Sequence, residues 1–320
     1  MTQYVITGAS GHIGNNLVRL INKTEPQAKI TVLTRRKIDK ELAETTYQQI
    51  IGDICNKKFL SQNIHSGDIV IHLAGIIDLS NKLRNECFSI NYLATKNICE
   101  VCKTKNVRLI YCGSVDGIYR PDKNATITEP DDYSPEKIEG NYGQTKAMAM
   151  KYVLSQIKND SNFNCAMILP TAVIGINDFK PSAVGKILSN VLNGGKEFGM
   201  KGGYNFVDVQ DVCNVIYSLC HNNKKDQYII SGENVEVKDL YAFLNKQKNL
   251  KRKPIIFPTF LVKLAAPFVG VLNKITIKAL TDPHNYSHQK ATTELGYKPT
   301  PIEETLKCTI DWLEKEYKKN

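Results

Sequence analysis

Short apolar runs alternate with amphipathic segments along the first half of the chain. The runs are apolar at successive positions, as in strands buried on both faces, and the segments between them repeat apolar residues at helical spacing. This alternation predicts an α/β fold with a parallel sheet covered by helices on both sides. The predicted strands are Tyr4–Thr7, Lys29–Thr34, Ile69–Leu73, Arg108–Cys112 and Cys165–Leu169, and the predicted helices are Ile13–Asn22, Phe88–Lys103 and Asn141–Gln156.

The regular alternation weakens after Pro170, where loops rich in Gly and Asn appear. We therefore predict a sheet domain over residues 1–170, to which residues 206–231 return, and a smaller, mostly helical part over residues 171–205 and 232–320. A chain of this length is expected to form one large or two small domains.

One late segment, Ile255–Leu272, is apolar enough to be compared with a membrane span. Pro258, Lys263 and Pro267 interrupt it, whereas a span needs about 20 mostly apolar residues. We interpret the segment as a loop plus an amphipathic helix, packed against the body or covering a site, and expect no membrane insertion.

Charge and cysteine content narrow the functional classes. The 320 residues carry 42 Lys and Arg against 32 Asp and Glu, a net charge of +10, but the basic residues are scattered. A nucleic-acid-binding protein would concentrate them, so we expect no nucleic acid partner and interpret the excess as solvated surface with some bias towards anionic ligands. The nine cysteines are odd in number, and Met1-Thr2-Gln3 leads directly into a strand. This pattern favours free thiols and a cytoplasmic location.

The spacing of Cys99 and Cys102 is the one cysteine pattern that resembles a metal motif. No second pair stands at a suitable distance, and residues three apart share one face of a helix. We interpret the pair as small apolar side chains on a buried helix face and predict no metal site.

A glycine-rich turn separates the first strand from the first helix, in the sequence Thr7-Gly8-Ala9-Ser10-Gly11-His12-Ile13-Gly14. Gly8 permits a backbone conformation that a side chain would block, Gly11 lets the backbone approach a pyrophosphate, and Gly14 lets helix pack against strand. The helix N-terminus then offers free N–H groups to the anion. The turn predicts a dinucleotide site, with His12 a turn residue rather than a catalytic one.

The end of the second strand indicates which dinucleotide. The chain reads Thr34-Arg35-Arg36 where an acidic residue would bind the ribose hydroxyls of NAD. Guanidinium groups suit a 2′-phosphate in charge and geometry, so NADP is favoured over NAD. Asp53, followed by Ile54, is expected to meet the adenine.

Tyr142 and Lys146 lie four residues apart on a predicted helix and therefore on one face. A tyrosine pKa of about 10 is too high for easy proton exchange at neutral pH. A neighbouring ammonium would lower it, which would make Tyr142 a general acid for a carbonyl or a base for an alcohol.

Together these features resemble the extended short-chain dehydrogenase/reductase superfamily, also described as the NAD-dependent epimerase/dehydratase family, and the resemblance covers nearly the whole chain. Further segments match the family in order. They are His72-Leu73-Ala74-Gly75, Asn91–Thr95, Tyr111-Cys112-Gly113-Ser114, Leu169–Gly175, Asn205–Val212 and Glu294–Pro299. The loop Pro170–Gly175 looks closer to dihydroflavonol-reductase-like and 3β-hydroxysteroid-dehydrogenase-like members than to nucleotide-sugar epimerases, many of which have Asn where this chain has Ala172.

The resemblance implies a Rossmann-type doubly wound sheet and assigns catalytic roles. Tyr142 would pass the proton, Lys146 would hold the nicotinamide ribose, Ser114 would polarise the reacting oxygen, and Asn91 would support Lys146 through water. Tyr119 is the other hydroxyl near Ser114. The residues expected to border the cofactor are Gly8, Ser10, Gly11, His12, Ile13, Gly14, Arg35, Arg36, Asp53, Ile54, Leu73, Ala74, Gly75, Tyr142, Lys146, Pro170 and Val173.

The sequence thus favours an NAD(P)-dependent oxidoreductase that reduces a carbonyl, or oxidises a secondary alcohol, of a small molecule held largely by the smaller part. Two alternatives stay open: an NAD-dependent nucleotide-sugar epimerase or dehydratase, and a non-catalytic dinucleotide-sensing protein. A sensing protein would be expected to lose Tyr142 or Lys146. The sequence does not identify the substrate, and it is compatible with a homodimer.

Overall fold

The fold is described from a computed structural model, which covers residues 1–38, 40–79, 81–120, 125–265, 274–281 and 285–318. The strands are β1 (Gln3–Thr7), β2 (Lys29–Thr34), β3 (Gln48–Ile51), β4 (Ile69–His72), β5 (Arg108–Cys112), β6 (Thr126–Ile127), β7 (Cys165–Pro170), β8 (Ala172–Ile174), β9 (Phe198–Met200), β10 (Gly203–Asp208), β11 (Gln227–Ile230), β12 (Glu233–Glu236), β13 (Ile255–Phe257) and β14 (Asn285–Tyr286).

The helices include short ones at several chain connections. They are α1 (His12–Thr24), α2 (Lys57–Asn63), α3 (Arg84–Cys87), α4 (Ala94–Thr104), α5 (Asn141–Asn159), α6 (Ala183–Leu192), α7 (Val209–Cys220), α8 (Val237–Gln247), α9 (Thr259–Ala265), α10 (Lys274–Thr281), α11 (Gln289–Leu295) and α12 (Ile302–Lys318). A π-helical segment, Phe88–Leu93, joins α3 to α4, and 3₁₀ turns lie at Lys40–Leu42, Val115–Gly117 and Pro135–Lys137.

The central sheet has seven parallel strands in the order β11-β7-β5-β4-β1-β2-β3. The chain leaves β1 towards β2 and later returns to β4 on the other side of β1. In open sheets of this kind, ligands bind outside the carboxyl ends of the strands at such a reversal. Thr7 and His72 are register partners at this edge. The seven parallel strands and the reversal of their order at β1 confirm the predicted Rossmann-type α/β fold.

Burial on both faces explains why the strands read as continuous apolar runs. On β1, Tyr4 and Ile6 pack with α1 and α7, whereas Val5 packs on the opposite face with α4 and α5. All three side chains are fully buried. Alternate side chains therefore enter two separate cores, and neither face of the strand is left polar.

The second half of the chain builds a smaller layer above the carboxyl edge. A three-stranded sheet, in the order β12-β10-β8, packs with α6, α8 and α12 around Phe206, Leu240 and Ile310. The segment 206–231 contributes β11 to the central sheet, where it pairs with β7. We propose the division into residues 1–170 with 206–231, and 171–205 with 232–320, on this basis.

One predicted helix differs from the structure. Phe88–Lys103 is predicted as a single helix, but Phe88–Leu93 is π-helical and the α-helix begins only at Ala94. A π-helical turn accommodates an extra residue and is frequent at functional sites. Here it contains Asn91, whose side chain forms hydrogen bonds with residues outside this helix.

Two other expectations concern burial. Cys99 and Cys102 are buried on α4, and all nine cysteines are free, as expected.

No helix among the described residues is long and apolar enough to cross a membrane. In the segment Ile255–Leu272, β13 and α9 carry several exposed apolar side chains, and the residues after 265 lie outside the described part of the chain.

Candidate active site

The glycine turn after β1 is shaped by close backbone contacts. Gly8 has φ +77°, and a Cβ there would lie 2.5 Å from the nitrogen of Ala74. A Cβ on Gly14 would lie 2.3 Å from the carbonyl oxygen of Gly8. Gly11, whose N–H donates to that carbonyl at 2.9 Å, has far more room. Gly8 and Gly14 are therefore required by packing, and Gly11 keeps the surface of the turn open.

Helix α1 starts within this turn and has no side-chain cap at Gly11. The N–H groups of the first turn of a helix have no acceptors within the helix. In α1 these are the N–H groups of His12, Ile13 and Gly14, at the positive end of the helix dipole. This cradle fits a dinucleotide pyrophosphate. The imidazole of His12 lies 2.9 Å from the carbonyl oxygen of Ile176, so it ties the turn to the later loop.

The end of β2 presents two arginines to solvent. Arg35 and Arg36 are exposed, and neither guanidinium has a hydrogen-bond or ion-pair partner among the described residues. Asp53 is also exposed, and its Oδ1 accepts a hydrogen bond from the Cys55 amide at 2.9 Å. Ile54 beside it is buried. Guanidinium groups without a protein partner at the end of β2 are suited to bind an anionic group on the adenosine of the cofactor.

Lys180, which sequence reasoning missed, reaches the same region from the loop after β8. Its Nζ lies 3.0 Å from Oγ of Ser10 and 2.8 Å from Oε1 of Glu41. The 170 residues that separate Lys180 from Ser10 explain why no local motif indicates the contact.

A buried histidine connects the glycine turn to the helix that carries Asn91. His72 lies between Thr7 Oγ1, 2.7 Å from Nδ1, and Thr95 Oγ1, 2.9 Å from Nε2. Because the Thr95 hydroxyl donates to the Asn91 carbonyl, we assign the proton to Nε2. Burial, with a smaller contribution from Lys146, lowers the pKa of His72 to about 3, so the ring is neutral.

The Asn91 side chain is held by protein groups at both its oxygen and its nitrogen. Its Oδ1 accepts from the Ile76 amide at 2.8 Å, and its Nδ2 donates to the Ile76 carbonyl and to Thr145 Oγ1, each at 3.0 Å. Asn91 therefore fixes the chain just after Gly75 and ties it to α5. It borders Gly75 together with Lys146, and the two side chains share no direct hydrogen bond.

Three predicted catalytic side chains meet at the carboxyl ends of β4 and β5. Lys146 is buried, and its Nζ donates to the Cys112 carbonyl at 2.8 Å and lies 3.5 Å from where a Cβ on Gly75 would stand. Ser114 is buried and caps the 3₁₀ turn by accepting from the Asp116 amide at 3.2 Å. Tyr142 is half-buried in the first turn of α5.

The expected lowering of the Tyr142 pKa by Lys146 is wrong for this structure. The pKa of Tyr142 is raised by desolvation and then by the nearby Asp116 carboxylate, and a hydrogen bond with Ser114 opposes the rise. The Lys146 ammonium is instead directed to the Cys112 carbonyl. Tyr142 consequently keeps its proton at neutral pH and is a weaker acid than expected, although an alkoxide that forms on a reduced carbonyl is basic enough to accept the proton.

The remaining predicted cofactor residues line the same edge. Leu73 and Ala74 are half-buried and Gly75 is exposed at the end of β4. Pro170 is buried at the end of β7, and Val173 is half-buried in β8, beside β10. Among the described residues, no cluster of His, Cys, Asp or Glu could hold a metal ion.

Comparison with known proteins identifies the family of the chain. A model of the NAD dependent epimerase/dehydratase family matches residues 4–231. "Sterol demethylase protein B" of Methylococcus capsulatus is 22% identical, over 96% of this chain and 97% of its own length. A Synechocystis protein, named as a candidate dihydroflavonol 4-reductase, is 25% identical over 97% of this chain and 94% of its own.

The fold also matches a solved structure over almost its full length. The crystal structure of gox2253 aligns with a TM-score of 0.84 and 22% identity, and covers 99% of both chains. The family model spans more than two thirds of the sequence, from β1 to the residue after β11. The chain therefore belongs to the NAD-dependent epimerase/dehydratase family of the extended short-chain dehydrogenases/reductases, an enzymatic, NAD-binding family.

Proposed function

We propose that the protein is an NADP-dependent oxidoreductase that reduces a carbonyl group of a small molecule, with Tyr142 as the proton donor. The observation that carries the proposal is the meeting of Ser114, Tyr142 and Lys146 at the sheet edge that also holds the open helix N-terminus of α1. Relatives named for sterol metabolism and dihydroflavonol reduction support an oxidoreductase acting on small molecules.

The cofactor would be held by groups from three chain segments. The N–H groups of His12, Ile13 and Gly14 would receive the pyrophosphate, Arg35 and Arg36 the 2′-phosphate, and Lys146 the nicotinamide ribose. When bound, NADPH supplies a hydride to the carbonyl carbon. NADP rather than NAD is proposed because the exposed guanidinium groups of Arg35 and Arg36 stand where an acid would otherwise bind the ribose.

The chain's own residues handle the substrate oxygen. The Ser114 hydroxyl accepts the Asp116 N–H at 3.2 Å and donates to Asp116 Oδ2 over a long 3.5 Å, and it would redirect this proton to the carbonyl oxygen of a bound substrate. Tyr142 donates its phenolic proton to the same oxygen as the carbon is reduced, so that an alcohol forms. The proton is later restored to Tyr142 from solvent.

The direct test is turnover of NADPH by the purified protein with a panel of aldehydes and ketones. We expect one NADPH oxidised per alcohol formed, and tighter binding of NADPH than of NADH in a fluorescence titration. Product formation without net NADPH oxidation would instead indicate an epimerase or dehydratase that recycles its nicotinamide. Cofactor binding without any conversion would indicate a sensing protein.

A further inference from the structure

A group of exposed apolar side chains lies on β9, β13 and α9, in the second half of the chain. Single exposed apolar side chains are ordinary on a protein surface, whereas a contiguous group of large ones marks an interaction surface. The members of this group, called the apolar patch below, are between 40% and 68% exposed: Phe198, Ile255, Phe257, Phe260, Leu261 and Leu264.

Half of the apolar patch is one side of a two-stranded sheet. β9 and β13 pair in parallel with Phe198 opposite Ile255, and the ring centroids of Phe198 and Phe257 lie 6.1 Å apart. The other side of this sheet packs inward, because a Cβ on Gly199 would lie 2.6 Å from Val237 of α8. Alternate residues of a strand face opposite sides, so Phe198, Ile255 and Phe257 are directed outward.

Helix α9 extends the apolar patch beyond the sheet. It begins two residues after β13, and its buried Val262 packs with Met200 of β9 and Ile277 of α10. Phe260 and Leu264 lie one helical turn apart and are the two most exposed members of the patch. The patch therefore spans a sheet and a helix that are packed against each other.

The charge around the apolar patch has one sign. Residues 240–281 contain eight Lys and Arg and no Asp or Glu, although basic and acidic residues are intermixed in the rest of the chain. Several exposed ammonium groups of this stretch have no hydrogen-bond or ion-pair partner among the described residues: those of Lys246, Lys251, Lys253 and Lys263. The patch is thus flanked by cations that are available to an anionic partner.

Helix α10 lies between the apolar patch and the candidate active site. Its Lys278 Nζ is 3.7 Å from Oε1 of Glu139. A Cβ on Gly140 would lie 2.7 Å from Ile275 of the same helix. Tyr142 follows two residues after Gly140, at the start of α5. A partner bound to the patch would therefore lie on the side of the molecule that carries the proposed acid.

We propose that the apolar patch docks the protein on the surface of a membrane that contains anionic phospholipids. In such docking, Phe and Leu side chains enter the boundary between headgroups and acyl chains, and neighbouring lysines contact lipid phosphates. A lipid surface fits better than a protein partner, because protein interfaces are depleted in lysine. The docking is peripheral and differs from the insertion of a spanning helix, which no helix among the described residues could form.

The test is co-sedimentation of the full chain with lipid vesicles. One set is pure phosphatidylcholine, and the other also contains phosphatidylglycerol as the anionic lipid. We expect binding to the anionic vesicles to be at least about tenfold tighter than to the neutral ones, and to weaken as salt is added.

Two double variants examine the apolar and the charged side chains separately. Phe260→Ser with Leu264→Ser removes two apolar groups and leaves the charge unchanged. Lys251→Glu with Lys253→Glu reverses two charges and leaves the apolar patch unchanged. Each should weaken binding to the anionic vesicles at least about tenfold. All four side chains are exposed, so urea unfolding should show that the fold is kept.

Matched controls make the same changes elsewhere on the surface. Ile51→Ser removes an exposed apolar side chain from β3, at the edge of the central sheet. Lys23→Glu with Lys29→Glu makes the same change in net charge at exposed positions of α1 and β2. Both controls should bind the anionic vesicles nearly as tightly as the parent.

A fluorescence measurement distinguishes entry into the lipid from adsorption on its surface. Phe260→Trp should show blue-shifted emission on the anionic vesicles and quenching by brominated lipid. Ile51→Trp should show neither change. Trp312 is present in both variants and contributes equally to them.

Failure of the parent to bind the anionic vesicles at low salt would overturn the proposal. Equal losses in the variants and their controls would also overturn it, in favour of non-specific adsorption of a basic protein. A dimer in sedimentation equilibrium that Phe260→Ser with Leu264→Ser dissociates, without vesicle binding by the parent, would assign the apolar patch to self-association instead. None of these measurements requires turnover, so their outcome is independent of the proposed oxidoreductase function.

Discussion

The ammonium group of Lys146 donates a hydrogen bond to the carbonyl oxygen of Cys112 across 2.8 Å. The contact ties the first turns of α5 to the end of β5, the strand that leads into Ser114. Lys146 therefore holds together the two elements that carry the proposed acid and the proposed oxyanion donor. Lys146 therefore stabilises the arrangement of these two elements by a hydrogen bond, in addition to placing a positive charge in the site.

Lys146→Met should weaken both functions. The side chain keeps its length, but the bond to Cys112 and the cation for the nicotinamide ribose are lost. We expect turnover to fall by at least about a hundredfold, together with weaker cofactor binding, measured by steady-state kinetics and fluorescence titration. Lys151→Met on the exposed side of the same helix is the control. Unchanged cofactor affinity in Lys146→Met would remove the ribose-binding role.

Tyr142→Phe tests the proton donor itself. The ring remains for packing, and only the acidic hydroxyl is removed. General acid–base groups contribute about 10²–10⁴-fold, so kcat should fall by that factor while the Kd for NADPH changes little. Tyr152→Phe, elsewhere on α5, should retain activity. Full activity of Tyr142→Phe on any reduced substrate would refute the mechanism.

Arg35→Ala tests the choice of cofactor. Loss of a charge-assisted contact to the 2′-phosphate should cost about 1.5–3 kcal/mol, which weakens NADPH binding about ten- to a hundredfold. NADH has no such phosphate and should bind nearly as before. Calorimetry with both cofactors provides the measurement, and Lys23→Ala, an exposed cation of α1, serves as control. Equal losses for both cofactors would contradict the assignment.

Two glycines of the turn should respond differently to the same added methyl group. At Gly14 a Cβ meets backbone at 2.3 Å, so Gly14→Ala should lower the free energy of unfolding by about 1–3 kcal/mol. At Gly11 the nearest atom is 3.2 Å away, so Gly11→Ala should keep the fold and obstruct the pyrophosphate. Urea unfolding and cofactor titration of both variants separate the effects. Normal cofactor binding by Gly11→Ala would make it only a turn residue.

Local sequence patterns predicted many residues of the candidate active site. The glycine turn, Ser114 and the Tyr142–Lys146 spacing each depend on a few consecutive residues, and the parallel sheet follows from apolar runs that alternate with helices. Strand β3 was missed because Gln48 and Gln49 give it a polar half, as an edge strand permits.

Contacts between distant parts of the chain could not be predicted in the same way. Asn91 bonds Ile76 and Thr145, and Lys180 bonds Ser10, through pairings that only the folded chain creates. The sign of the Tyr142 shift also depends on tertiary structure. Spacing alone indicated a neighbouring cation, whereas burial and the Asp116 carboxylate dominate.

His72 should make the fold sensitive to acid, because it is buried as a neutral ring between Thr7 and Thr95. Its pKa is lowered to about 3 in the folded chain, against an ordinary value of about 6.5. The unfolded chain thus binds the proton more readily, and stability rises with pH between these values. Below about pH 6.5, His72 should cost up to ~1.4 kcal/mol of unfolding free energy per pH unit.

His72→Gln keeps a hydrogen-bonding side chain that does not titrate, so this acid sensitivity should be reduced. Between pH 6.5 and 4.5, urea unfolding should show the parent losing up to about 2–3 kcal/mol more than the variant. The exposed His65→Gln should retain the parent's pH dependence. Parallel stability curves for the parent and His72→Gln would show that His72 accepts a proton in the folded chain as easily as in the unfolded one. The assignment of His72 as a neutral ring hydrogen-bonded between Thr7 and Thr95 would then be wrong.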